Sequence, residues 1–189
     1  VRGLDLSNMT IIEGDNGIIV LDTMTTREPA AAALQLYREH RGDRPVVAVI
    51  YTHSHVDHFG GVLGVTDQAA VDRGKVKVIA PAGFTEHAVS ENVYAGVAMG
   101  RRAGYMYGAA LDRGPSGQVG AGLGQSPSTG SVGLIVPTDF VTHTGQKIEV
   151  DGVVMEFQLT PNTEAPAEMH IYFERFKALC AAENATHTM

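Results

Sequence analysis

The chain has a single cysteine, Cys180, so no disulfide can close within it. Basic side chains are few: 14 Lys and Arg stand against 21 Asp and Glu, for a net charge of −7. That balance argues against a basic patch of the kind that holds nucleic acid. It leaves room for an anionic small molecule, because bound cations can reverse a local field. No apolar run approaches the ~20 residues that a membrane-spanning helix needs. Internal repeats and coiled-coil heptads are missing too. What remains is 189 residues, 44% hydrophobic and 19% charged, enough for one domain with its own core. The first residue is Val1, so the sequence reads as a mature form or a fragment from which any signal peptide would be missing.

One stretch organises the rest: Tyr51-Thr52-His53-Ser54-His55-Val56-Asp57-His58-Phe59-Gly60-Gly61. It follows the apolar run Val46 to Ile50, which reads as a buried strand. Imidazole and carboxylate are the ligands preferred by a hard-to-borderline divalent cation. His53 and His55 are two apart and share a side of an extended backbone. Asp57 and His58 follow where the chain must turn, a turn that Gly60-Gly61 is expected to permit. The first pair can hold one cation while Asp57 and His58 hold a second.

Around this loop the chain reads as alternating elements. Met9 to Glu13 and Gly17 to Leu21 are strand-like, with a hairpin at Asp15-Asn16-Gly17. Pro29 opens an Ala-rich helix over 30–40, ended by Gly42. Val76 to Ala80 is a strand bounded by Pro81. Phe84 to Tyr107 is expected to be helical, with Val89, Val93 and Val97 on one stripe. Gly108 to Gly133 is too long for an ordinary connector and reads as a functional or mobile loop. Within it, Gly120 to Gly124 has no strand before it and no clear helix after it, so it does not read as a phosphate-cradling loop. Phe140 to Val150 and Val153 to Leu159 form a second β region around Asp151-Gly152. Met169 to Phe173 and Ala178 to Ala182 form two more strands around Glu174-Arg175. A strand carrying its site at its end, fed by a hairpin and a helix, is an α/β arrangement.

A two-metal site needs more ligands than the loop supplies. His87, Glu91, His143, Glu164, Glu168, His170, Glu183 and His187 are the downstream candidates, and composition does not rank them. The H-x-H-x-D-H order after a strand resembles the metallo-β-lactamase superfamily, an α/β (α+β sandwich) class with an αββα fold. The usual T-P-G-H-T-P-G of that superfamily corresponds to Thr160-Pro161-Asn162-Thr163-Glu164-Ala165-Pro166. Glu164 then stands near the usual third histidine, with Glu168 as its rival, and Glu183 stands where the bridging aspartate would be. Such a glutamate pair, together with Glu91-Asn92-Val93 and Arg101 to Gly108, resembles the alkylsulfatase branch.

That resemblance implies a binuclear site of two Zn2+ held by His53, His55, Asp57, His58, Glu164 and Glu183. It implies hydrolysis of alkyl sulfate esters such as dodecyl sulfate by a metal-bound hydroxide that Asp57 orients. The helix and Gly-rich loop at about 84–133 are expected as an insertion walling an alkyl channel, to which Met99, Tyr105, Met106 and Tyr107 either contribute or are plain core. The family's last histidine ligand, its sulfate-binding groups and its dimerisation region would lie past Met189, so the second metal site is expected to be incomplete here, and the chain alone to bind metal weakly and turn over little or no substrate. The resemblance therefore implies the front part of a homodimeric and exported (periplasmic or secreted) enzyme. Other hydrolase chemistry of the superfamily, on a lactam, thioester or phosphodiester, and an inactive metal-binding fragment are the alternatives.

Overall fold

The computed structural model describes residues 1–121 and 124–185. Strands β1 (Thr10–Glu13) and β2 (Ile18–Leu21) form the expected hairpin. Helix α1 (Arg27–Arg41) ends at Gly42, whose φ of 93° only glycine adopts freely. Strand β3 (Val46–Ile50) runs parallel to β2 and leads into the histidine loop. Short helices α2 (Val56–Phe59) and α3 (Gln68–Asp72) then return the chain to β4 (Lys77–Pro81). Helices α4 (Phe84–Val89) and α5 (Gly96–Tyr107) precede the long irregular segment that ends at β5 (Asp139–Val141). Strands β6 (Lys147–Val150), β7 (Val153–Leu159), β8 (Met169–Phe173) and β9 (Ala178–Cys180) complete the chain.

The first five strands make one sheet in the order β1-β2-β3-β4-β5, parallel from β2 onward; the last four make an antiparallel meander. Side chains of the parallel strands alternate between two cores, as a period of two requires. Ile18, Val20, Val49, Val78 and Ala80 pack with α1 and the short helices. Ile19, Leu21, Ala48, Ile50 and Ile79 pack against Met155, Phe157, Met169 and Ile171 of the second sheet. Burial on both faces explains why β2, β3 and β4 are continuous apolar runs. The layers are thus helices, parallel sheet and antiparallel sheet; among the described residues no helix of eight or more residues follows β5. No helix of the described residues is long and apolar enough to cross a membrane.

Several expectations need correction. Phe140 to Val150 is not one strand: β5 belongs to the first sheet and β6 to the second. The chain crosses between them at a turn closed by Gln146, whose side chain accepts from Thr142 N at 2.9 Å and donates to Phe140 O at 3.1 Å. The helix over 84–107 is interrupted by a π-turn at Ser90–Tyr94. Along the valine stripe Val89 is half-buried, while Val93, within the π-turn, and Val97, in α5, are 70% and 75% exposed. Pro81 is the last residue of β4 instead of lying beyond it. The Gly108 to Gly133 segment has no helix or strand among its described residues. Its end is pinned, because Ser128 donates to Asp5, Ser131 donates to Glu28, and Gly133 N donates to Gly60 O at 2.7 Å.

The reason for Gly60-Gly61 also differs from expectation. Their φ values of −62° and −86° suit any residue. The constraint is space: a Cβ on Gly60 would strike the Thr25 carbonyl, and one on Gly61 would strike the carbonyls of Thr23 and Thr26. The histidine loop is packed backbone to backbone against residues 22–26, with Thr23 N donating to His58 O at 2.8 Å and Gly61 N donating to Met24 O at 2.9 Å. Gly61→Ala is therefore expected to lower unfolding free energy by about 1–3 kcal/mol or more, measured by urea denaturation. An unchanged unfolding midpoint would contradict the close-approach account.

Candidate metal centre

Every histidine and carboxylate singled out in the loop lies at the carboxyl ends of β2 and β3, where parallel sheets place their sites. The strand β8 begins against the same loop: Met169 N donates to Thr52 O at 3.0 Å, and His53 faces Glu168 in an isolated antiparallel bridge. That contact brings the Thr160 to Glu168 segment over His53. The six predicted side chains meet. His53, His55, Glu164 and Glu183 offer ligand atoms within 4.8 Å of one another, and Asp57, His58 and Glu183 form a second such group. Glu183 is common to both. His53 Nε2 lies 3.3 Å from Glu164 Oε2 and 3.8 Å from Glu183 Oε2. His58 Nε2 lies 3.4 Å from Asp57 and 3.5 Å from Glu183. His55 Nδ1 faces Glu164 at 3.0 Å and its Nε2 faces Glu91 at 3.7 Å.

Asp22, which sequence reasoning passed over, orients two of these rings. It sits directly after β2 with φ of 58°, a left-handed conformation that aspartate tolerates better than most residues. Its carboxylate accepts from Thr52 N at 2.9 Å, Thr52 Oγ1 at 2.8 Å and His58 Nδ1 at 2.7 Å. Thr52 Oγ1 spends its proton on Asp22, so its 2.9 Å contact with His53 Nδ1 is donated by the ring. The non-donating ring atom of each histidine, Nε2, is thereby aimed into the cluster. No sequence signal marked Asp22, since one acidic residue in a polar turn has no spacing to read.

The electrostatics favour positive charge. Burial pushes the His58 imidazole down, but Asp57 and Asp22 outweigh it and hold its pKa well above the usual value. Burial likewise opposes His55, but the Glu164 carboxylate 3.0 Å from its Nδ1 leaves it raised. His53 is wholly buried beside the other two rings and is lowered well below the usual range. Burial would raise Asp57, yet the neighbouring His58 holds it below its ordinary value. Three buried atoms here, His53 Nε2, His58 Nε2 and Glu164 Oε2, have no hydrogen-bond partner. Buried polar atoms are seldom left unpaired. A divalent cation satisfies such a set, and the donor chemistry of imidazole and carboxylate suits zinc.

The model of the metallo-beta-lactamase superfamily matches residues 2–174. The chain belongs to that superfamily. It is 58% identical along its whole length to a linear primary-alkylsulfatase of Pseudomonas sp., of which it spans 28%. It is 49% identical to the alkyl/aryl-sulfatase BDS1 of Saccharomyces cerevisiae, spanning 29% of that protein. The solved stereoselective inverting sec-alkylsulfatase Pisa1 from Pseudomonas sp. superposes with a TM-score of 0.94 at 53% identity, over 98% of this chain and 29% of that one. The chain thus spans under a third of the relatives it matches.

Beside the superfamily's histidine loop lies a cleft of about 700 Å3. Asp57, Glu164 and Glu183 line it together with the apolar Leu6, Met99, Ala103, Met106 and Val132. Tyr107 also lines it, and burial with the nearby Asp57 and Glu183 raises its hydroxyl pKa. Tyr105 is neither core nor lining, being 92% exposed. Of the adjacent Arg101 and Arg102, both exposed, Arg102 borders the cleft. Glu168 is fully hydrogen-bonded and does not replace Glu164 in either cluster. His187 lies outside the described residues, as do Gly122 and Leu123 of the glycine-rich stretch. Cys180 packs at the edge of the inter-sheet core, and burial lifts its thiol to about 11.

Removing the charge of Asp22 should move His58. A histidine raised in the folded state contributes stability that is fully present below its unfolded pKa of about 6.5 and lost as pH rises through the folded value. In metal-free Asp22→Asn, the His58 ring is expected to titrate at lower pH than in the wild type, followed by NMR. An unmoved titration would contradict the role given to Asp22.

Proposed function

We propose that this chain is the metal-binding part of an alkylsulfatase, holding two zinc ions and hydrolysing alkyl sulfate esters to alcohol and inorganic sulfate. The observation that carries the reading is the convergence of His53 Nε2, His58 Nε2 and Glu164 Oε2, all buried and all without a hydrogen-bond partner. His53, His55, Glu164 and Glu183 would hold one cation, and Asp57, His58 and Glu183 the other. When bound, such cations lower the pKa of water from about 15.7 toward 7 and offset the charge of an anionic ester. The protein's own contribution is orientation. Asp22 fixes the His58 ring directly and the His53 ring through Thr52. Asp57, next to His58 and lining the cleft, is suited to align the attacking water. Leu6, Met99, Ala103, Met106 and Val132 give an alkyl tail an apolar wall, and Arg102 is the arginine at its edge. Similarity of 49–58% to alkylsulfatases supports the substrate class. The helical and Gly-rich segment at about 84–133 acts in this reading as the insertion that builds the wall. The complete protein would work as a dimer.

Zinc titration of the metal-free chain, followed by native mass spectrometry, is expected to fill the site of His53, His55, Glu164 and Glu183 first and to load a second cation more weakly at Asp57, His58 and Glu183, which offer one ligand fewer. Uptake should release protons and tighten from about pH 6 to pH 8, because the ligands bind deprotonated. Parallel assays with dodecyl sulfate, nitrocefin and a glutathione thioester should confine any turnover to the sulfate ester. Faster hydrolysis of nitrocefin or the thioester would contradict the assignment.

A further inference from the structure

Glu164 and Glu183 belong to segments on either side of the β8–β9 hairpin, so chain order alone does not fix the spacing of their carboxylates. One buried side chain joins the two segments. Glu168 is 1% exposed. Its Oε2 accepts from the backbone N–H groups of Glu164 and Ala165, both at 3.0 Å, and lies 2.8 Å from Thr163 Oγ1. Its Oε1 accepts from Asn184 Nδ2 at 3.0 Å, one residue beyond Glu183. Asn184 Nδ2 also lies 3.1 Å from Thr163 Oγ1 and 2.9 Å from His170 Nε2. The backbone of Glu168 pairs with that of His53.

We infer that Glu168 is a positioning residue that sets both late glutamates against the histidine loop, an inference resting on the metal reading above. The two glutamates that were rivals in the sequence have opposite environments. Glu164 Oε2 has no partner and faces His53 and His55. Both oxygens of Glu168 accept from protein donors, and neither belongs to the two ligand groups. One oxygen fixes the peptide that carries Glu164, and the other fixes the residue after Glu183. Loss of this side chain frees both carboxylates at once, whereas loss of Asn184 frees the Glu183 side and leaves the Glu168 bonds to the Glu164 and Ala165 N–H groups in place. Asn184 is exposed, so its replacement by Ala is expected to leave the fold intact.

The test is zinc affinity, with the metal-free melting temperature measured in parallel on the 189-residue chain. Asn184→Ala is expected to weaken zinc binding by about ten- to a hundred-fold, the usual effect of losing a group that orients a ligand, with the metal-free melting temperature unchanged. Glu168→Ala should weaken both binding steps. Glu168→Gln, whose amide oxygen can still accept from the loop donors, should lie between Glu168→Ala and the wild type. If Asn184→Ala binds zinc like the wild type, the inference is overturned, and any defect of Glu168→Ala is then one of folding. If the wild type takes up no zinc, the metal reading itself fails and this inference falls with it.

Discussion

The Asp22 carboxylate is the interaction on which the site depends. It is held at the end of β2 in a left-handed conformation, with Met24 in another two residues on. A strained backbone of this kind costs on the order of 1–3 kcal/mol per residue. Hydrogen bonds to a charged group return roughly 1.5–3 kcal/mol each, and Asp22 accepts three of them, two from Thr52 and one from His58. The balance favours the strained turn as long as its partners are in place. Through those partners one side chain selects the tautomer of His58 directly and of His53 at one remove. The chemistry of the loop is thus decided by a residue thirty positions before it in the chain.

The same turn explains the packing around it. Residues 22–26 lie so close to the loop that only glycine fits at positions 60 and 61. From the other side, the first residues of β8 close on Thr52 and His53 and bring Glu164 with them. The two sheets therefore do more than share a core. Their edges clamp the loop from both directions, and the cleft opens where α5 and the pinned end of the long segment leave it uncovered.

Much of this was legible in the sequence where the signal was local. Val46 to Ile50, the Asp15-Asn16-Gly17 hairpin and the Asp151-Gly152 turn, with φ of 48° and 76°, follow from period and turn chemistry. The histidine loop was legible from its spacing, and Glu164 and Glu183 only through family resemblance. What was hidden is non-local. Whether β5 and β6 join one sheet or two depends on partners far along the chain. The break at Ser90–Tyr94 leaves no residue signature, and Val93 and Val97 of the valine stripe are exposed. Asp22 and Glu168 act by hydrogen bonds to segments brought together by folding, so no spacing announces them.

Anomalous diffraction at the zinc edge from crystals grown with zinc tests the central claim most directly. The account predicts one peak among His53, His55, Glu164 and Glu183 and a second among Asp57, His58 and Glu183. A map with no peak in that cluster, or with zinc bound only at surface histidines such as His40 and His143, would contradict it.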